Sequence, residues 1–177
     1  MFKMKVDDEI SLCLTSPKYA ERMHYLVDVD RDYLSQWLDW PQYTRRPADH
    51  AMIATSHLKQ YAEGKSMPCC IEYQGEIVGA AGFNTIEEAL QRTQVGYWLA
   101  SAYQGKGIMT RVCRKLIDVA FHELNLHKVQ LAAGEGNMPS RAVAERLGMK
   151  VEGIITNAES VNDQIINHVI YGLHRSD

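Results

Sequence analysis

The chain has almost no excess charge, no long apolar run and no cysteine or histidine spacing of a recognised kind. Against 22 Asp and Glu stand 19 Lys and Arg, a formal net charge of −3 over 177 residues. No basic field results, so a grip on nucleic acid has no electrostatic support and no DNA partner is expected. No stretch approaches the roughly 20 apolar residues that span a bilayer, so no membrane association is expected. Met1-Phe2-Lys3-Met4-Lys5 runs into Asp7, Asp8 and Glu9 rather than an apolar segment. That opening predicts no secretory leader and a cytoplasmic protein. The four cysteines (Cys13, Cys69, Cys70, Cys113) form no C-x-x-C, and the seven histidines form no H-E-x-x-H. Buried free thiols are expected, with no redox pair and no metal.

What is present reads as one ordinary α+β domain spanning 1–177. Apolar residues make up 46% and charged residues 23%, a soluble globular profile. Ile10 to Leu14 alternates as a half-buried strand. Pro17 opens a helical pattern through Ala20, Met23, Leu26 and Val27, and a second helix covers about Arg31 to Leu38, ended by Trp40-Pro41. A third runs from Ala48 to Glu63, with Asp49 in its first turn and Gly64 as its stop. Met67–Tyr73 and Ile77–Thr85, joined by Gln74-Gly75-Glu76, predict a hairpin. Glu87 to Arg92 then connects to a strand over Thr93 to Leu99. After it come a helix over Ile108 to Leu124, a strand at Lys128 to Ala133, and a helix from Asn137 to Gly148. Strands near Lys150–Ile155 and Ile165–Leu173 close the chain. A mixed, mostly antiparallel sheet of about six or seven strands flanked by helices is the expected architecture.

The most informative stretch joins the strand ending at Leu99 to the helix starting at Ile108 through Gln104-Gly105-Lys106-Gly107. A glycine turn opening a helix bares backbone N–H groups at the positive end of the helix dipole, a seat for phosphate. Gln104-x-x-Gly107 fits the loop of the GCN5-related N-acetyltransferase (GNAT) superfamily, and the element order is similar to theirs. Val95-Gly96-Tyr97-Trp98-Leu99, Asn137-x-x-Ser140 with Leu147-Gly148-Met149, and Trp37-Leu38-Asp39-Trp40-Pro41 resemble the RimL/RimJ-type ribosomal-protein branch.

That resemblance implies an acetyl-CoA-dependent N-acetyltransferase acting by direct attack in a ternary complex. The backbone of Gln104, Gly105, Lys106, Gly107, Ile108, Met109 and Thr110 is expected to hold the pyrophosphate, with Lys106 near the phosphates. Amides near Trp98 and Leu99, and the Asn137 side chain, are expected on the pantetheine arm. Met109 stands where the superfamily usually has Gly or Ala, so its side chain must point away from the phosphates. Glu159, expected in a loop between the last two strands, matches the branch's base, with Glu72 as fallback. Ser140 matches its proton donor, whose plainer role is to satisfy a helix-start N–H. Ala144 replaces a tyrosine that many relatives have seven residues after the motif asparagine.

The implied acceptor is a protein N-terminus, in particular that of a ribosomal protein. Deprotonating an α-amino group near neutral pH costs about 1.4 kcal/mol, and a lysine about 4–5 kcal/mol. One modest base therefore suffices for an N-terminus. Two alternatives stand: a polyamine or small-amine acetyltransferase, marked by an acidic acceptor pocket, and a non-catalytic acyl-CoA sensor. Tyr43, Arg45 and Arg46 are expected at the acceptor rim. Asn162-Asp163 and Asn167 depart from the branch's last-loop pattern. A homodimer through the C-terminal edge strand is consistent with this reading.

Overall fold

The computed structural model describes residues 2–176. Eight strands form one sheet: β1 (Lys3–Lys5), β2 (Ile10–Leu14), β3 (Met67–Tyr73), β4 (Glu76–Glu87), β5 (Arg92–Leu99), β6 (Lys128–Gly134), β7 (Lys150–Val161) and β8 (Gln164–His174). Their spatial order is β1-β2-β3-β4-β5-β6-β8-β7, antiparallel everywhere except between β5 and β6. The strand beyond the seven expected is Lys-Met-Lys, too short to show an alternation. Helices α1 (Ala20–Val29), α2 (Arg31–Leu34), α3 (Pro47–Ala62), α4 (Ile108–Asp118) and α5 (Met138–Arg146) flank the sheet. None is long and apolar enough to cross a membrane.

Local chemistry explains most boundaries. Gln74 and Gly75 both take positive φ, giving the two-residue turn that matches the twist of the β3–β4 hairpin. Asp49 reaches back to accept the N–H groups of Arg45 and Arg46 at 3.0 and 2.9 Å, fixing the start of α3. The expected helix over Arg31–Leu38 stops at Leu34. Arg31 turns its guanidinium onto the carbonyls of Pro41 and Thr44, holding the segment after α2 as turns. The long helix expected to Leu124 is α-helical to Asp118 and finishes as a π turn over Val119–Glu123.

The core sits where α4 crosses the sheet. Its buried residues Val112, Cys113 and Leu116 pack with Leu12, Ile71, Val78, Phe83, Val129 and Leu131. Burying one such aliphatic side chain contributes about 1.5–3 kcal/mol, so this face fixes the direction of α4 and of the loop that precedes it. A smaller cluster of Leu26, Cys70, Ile77 and Ala100 seats α1. Cys69 and Cys70 fall in different clusters, as adjacent strand residues should.

One irregularity creates the site. β5 and β6 pair only from Arg92↔Lys128 to Val95↔Leu131, then part, although both strands continue. β4 stays paired with β5 to Leu99, so one edge of β5 beyond Val95 faces a gap.

Candidate active site

The gap between β5 and β6 lies where two cavities meet. One, of about 690 Å³, is lined by α2, the end of β5, the Gln104–Gly107 turn and the starts of α4 and α5. The other, of about 880 Å³, runs under α3 and across the sheet to β7 and β8. Trp37, Leu38, Tyr97, Trp98, Asn137 and Ser140 line both.

In the first cavity the backbone supplies the chemistry. Gly105 and Gly107 take φ of +73° and +69°, conformations an L residue reaches only under strain. Among the described residues, no acceptor meets the N–H groups of Gly105 through Thr110, and no side chain caps α4. Six donors thus converge at the positive end of an 11-residue helix. Met109 is buried in the core, which answers the constraint its size imposed. The turn is braced from outside. Asp30 accepts both the N–H and the hydroxyl of Ser101 at 2.6 Å, Gln104 Nε2 donates to the Tyr33 hydroxyl, and Arg111 joins the Lys106 carbonyl to Asp7 and Glu9. Lys106 lies 5.5 and 5.4 Å from the ring centres of Tyr73 and Tyr103. Those rings hold its ammonium beside the cavity it lines.

The parting of β5 and β6 exposes a specific set of amides. Ala100 N–H donates to the Val78 carbonyl, which makes that pair, and alternate pairs before it, the hydrogen-bonded ones of the β4–β5 ladder. By that alternation Trp98 spends its N–H on β4, while Tyr97 and Leu99 turn theirs toward the gap. The N–H groups free beside the gap are thus those of Tyr97 and Leu99, where Trp98 and Leu99 were expected. The Trp98 ring packs at a tilt against Trp40, with centres 5.9 Å apart.

At the junction, Asn137 Oδ1 accepts the N–H of Ser140 at 3.3 Å, so Asn137 caps α5. Ser140 is thereby relieved of the capping role. Its Oγ lies 2.9 Å from the hydroxyl of Tyr97, a partner the sequence did not announce. Burial, with Cys113 adding to it, pushes the Tyr97 phenol well above its ordinary range, so it stays a hydroxyl. Gly134 and Gly136 let the Trp37 ring close over this point, since a Cβ on Gly134 would lie 2.9 Å from that ring.

Glu159 lies within β7 rather than in a loop, opposite Ile166. It follows a bulge between Ile155 and Glu159 that Asn167 holds, accepting the N–H of Asn157 at 3.1 Å. The Glu159 carboxylate is 3.0 Å from His168 Nε2, and both residues line the second cavity. His168 was missed, yet a signal existed. Asn162 and Asp163 both take positive φ as a two-residue turn, which puts Glu159 opposite Ile166 and on the same face as His168. The turn also docks: Asn162 bonds the Ser35 carbonyl and the Asp39 carboxylate. Glu72 pairs with Lys3 and Cys13 and lines neither cavity, which removes it as a fallback base. Tyr43 ends the 3-10 turn Trp40–Tyr43, Arg45 and Arg46 lead into α3, and none of the three lines either cavity; Trp40 and His50 form that wall. Burial pushes the Cys69 and Cys70 thiols up to about 12, so neither is a ready nucleophile.

Comparison with known proteins agrees with this geometry. The family model described as Acetyltransferase (GNAT) domain matches residues 11–150. A putative ribosomal N-acetyltransferase of Bacillus subtilis, YdaF, is 34% identical over 174 residues, 98% of this chain and 95% of the relative. The crystal structure of RimL, a ribosomal L7/L12 α-N-protein acetyltransferase in complex with coenzyme A, superposes with a TM-score of 0.94 at 25% identity, covering 98% of both chains. That of the microcin C7 self-immunity acetyltransferase MccE, with acetyl-CoA and AMP, gives 0.92 at 28%, covering 97% of this chain and 95% of that one. The chain belongs to the GNAT acetyltransferase family and is an N-acetyltransferase.

Proposed function

We propose that this enzyme transfers acetyl from acetyl-CoA to the α-amino group of a protein, a ribosomal-protein N-terminus being the substrate its similarities favour, in the cytoplasm. The observation that carries the reading is the meeting of a backbone phosphate seat with a nearly uncharged second cavity. The Gly105–Thr110 amides fit a pyrophosphate, and the free edge of β5 at Tyr97 and Leu99 fits the amide-bearing pantetheine arm. Bound acetyl-CoA supplies an activated acetyl thioester. Tyr97 and Leu99 N–H groups point to where its carbonyl oxygen gains charge, a placement in which one donor is typically worth about 3–4 kcal/mol.

Glu159 accepts the proton of the incoming ammonium, directly or through water, and His168 holds its carboxylate in place. Ser140 Oγ–H supplies the proton taken by the departing sulfur, with Tyr97 orienting that hydroxyl. Of the residues lining the second cavity, Glu159 is the one carboxylate, and none is Lys or Arg. A polyamine would meet too little negative charge there, so the peptide reading is preferred. Two copies pairing through the exposed β7 edge, where Val151, Ile154 and Ile155 stand free, complete the proposal.

Glu159→Gln tests the assignment. Turnover with an N-terminal peptide is expected to fall about 100-fold, with acetyl-CoA affinity nearly unchanged. Equal loss of both would reject Glu159 as the base, and acetyl-CoA binding without turnover of any amine would make the protein a sensor. Mass spectrometry of cellular N-termini with and without the protein identifies the acceptor.

A further inference from the structure

The second cavity holds two buried polar atoms that the fold leaves unsatisfied. Among the described residues His50 Nε2 and Ser66 Oγ have no hydrogen-bond partner, their residues are 7% and 5% exposed, and both line this cavity. Folded chains pair such groups almost without exception, so an orphan in a cavity wall points to a ligand that meets it. The third unpartnered atom, His24 Nδ1, is outside the lining, its ring 5.6 Å from that of His50.

The two groups mark different depths of one groove. From the junction, Trp98 packs at a tilt against Trp40 at 5.9 Å, and Trp40 meets His50 edge-on at 6.3 Å. Beyond that point α3 lines the groove with His50, Ile53, Ala54, His57 and Gln60, a single helical face. Ser66 lies just past the C-terminal end of α3, beyond the turn at Gly64 in which Lys65 N–H bonds the Gln60 carbonyl at 2.9 Å. Ten residues of helix at 1.5 Å per residue put Gln60 about 15 Å along the axis from His50, and Ser66 lies at that far end. An extended chain covers that distance in four to five residues at about 3.3 Å each. A free amino acid or short amine reaches one fixture and not the other. Ile53, His57 and Gln60 are exposed, so the groove opens to solvent along this side.

We propose that the acceptor is read as an extended peptide of four to five residues laid along α3, with His50 Nε2 and Ser66 Oγ as its hydrogen-bonding fixtures. His50 meets the peptide near its amino end and Ser66 near the far end. The lining offers neutral donors and acceptors and aromatic walls, so it recognises main-chain amides with uncharged side chains. Burial keeps the His50 imidazole neutral, which suits an amide partner. This inference rests on the reading of the second cavity as the site of a peptide acceptor.

The test uses the whole enzyme with acetyl-CoA and peptides of two, four and six residues sharing one N-terminal residue. The value of kcat/KM is expected to rise about tenfold from two residues to four, then level off. Ser66→Ala flattens that rise by about fivefold, while its melting temperature holds or increases because an unpaired buried hydroxyl is gone. His50→Phe raises KM for all three peptides without changing KM for acetyl-CoA, and His50→Gln recovers part of the loss. Equal kcat/KM at every length, or a Ser66→Ala effect equal across lengths, overturns the groove and leaves the N-terminal reading standing. Turnover of small amines with none of any peptide overturns both.

Discussion

The two cavities that share Tyr97 and Ser140 are built from opposite materials. The side proposed for the cofactor is main chain: six successive N–H groups from one segment, shaped by two left-handed glycines and the first turn of α4. The side proposed for the acceptor is side chains brought from α3, the Trp37–Trp40 segment, four central strands and the β7–β8 hairpin. A phosphate seat of amides depends on backbone angles and is nearly indifferent to side chains. The acceptor groove depends on which side chains meet, and tolerates change in the chain that joins them. The same acetyl-transfer half can therefore serve different acceptors.

Breaking the backbone half gives the largest expected effect. In Gly107→Val the new Cβ meets no protein atom within 4 Å, so a steric clash inside the fold is not the mechanism. A β-branched residue at φ +69° costs about 1–2 kcal/mol and tends to refold the turn, scattering the donors. Acetyl-CoA affinity by calorimetry should fall at least 100-fold, with most of the stability retained. Retained affinity would mean that the phosphates sit elsewhere.

A smaller effect sharpens the junction, where the two halves exchange a hydrogen bond. Ser140→Ala should lower kcat about tenfold and Tyr97→Phe about fivefold, with acetyl-CoA affinity little changed. If Tyr97 acts through Ser140, the double variant behaves like Ser140→Ala alone. Additive losses would assign Tyr97 a separate task. The pair also bears on the missing helix tyrosine: Ala144 is fully buried, so α5 has no room for a ring there, and the phenol at the junction comes from β5 instead.

The same contrast decides what could be read before the fold was seen. The Gln104–Thr110 turn is local: strand, glycines and amphipathic helix follow one another, and each constrains its neighbour through short-range sterics. Asn137 was legible for the same reason, as a cap three residues from the N–H it holds. Trp98 was misassigned as an amide donor because its ladder phase depends on pairing with β4, more than a dozen residues earlier in the chain. Glu159 was expected in a loop and lies in β7, since the bulge behind it needs Asn167 from the opposite strand. His50 and Ser66 gave no signal at all: their importance is a lack of partners, which only the packed fold reveals.

The smallest prediction concerns stability and separates the halves by titration. Burial first, and then the neighbouring His24, lower the His50 pKa below its ordinary 6.5; Asp49 opposes this and Arg31 adds to it. The folded state therefore binds its proton less readily than the unfolded chain. The stability this contributes is present above pH 6.5 and is lost as pH falls through the depressed folded value. Melting temperatures recorded from about pH 7.5 to 5.5 should decline for the wild type, by at most about 1.4 kcal/mol per pH unit from this residue. His50→Phe should decline less steeply over the same window, whatever its stability at the upper end. The comparison of slopes cancels the titrating groups that do not interact with His50, leaving His50 and its coupling to His24 and Asp49. Parallel slopes would show that water reaches His50 in the absence of a peptide, and the groove wall would then be looser than its packing against Trp40 implies.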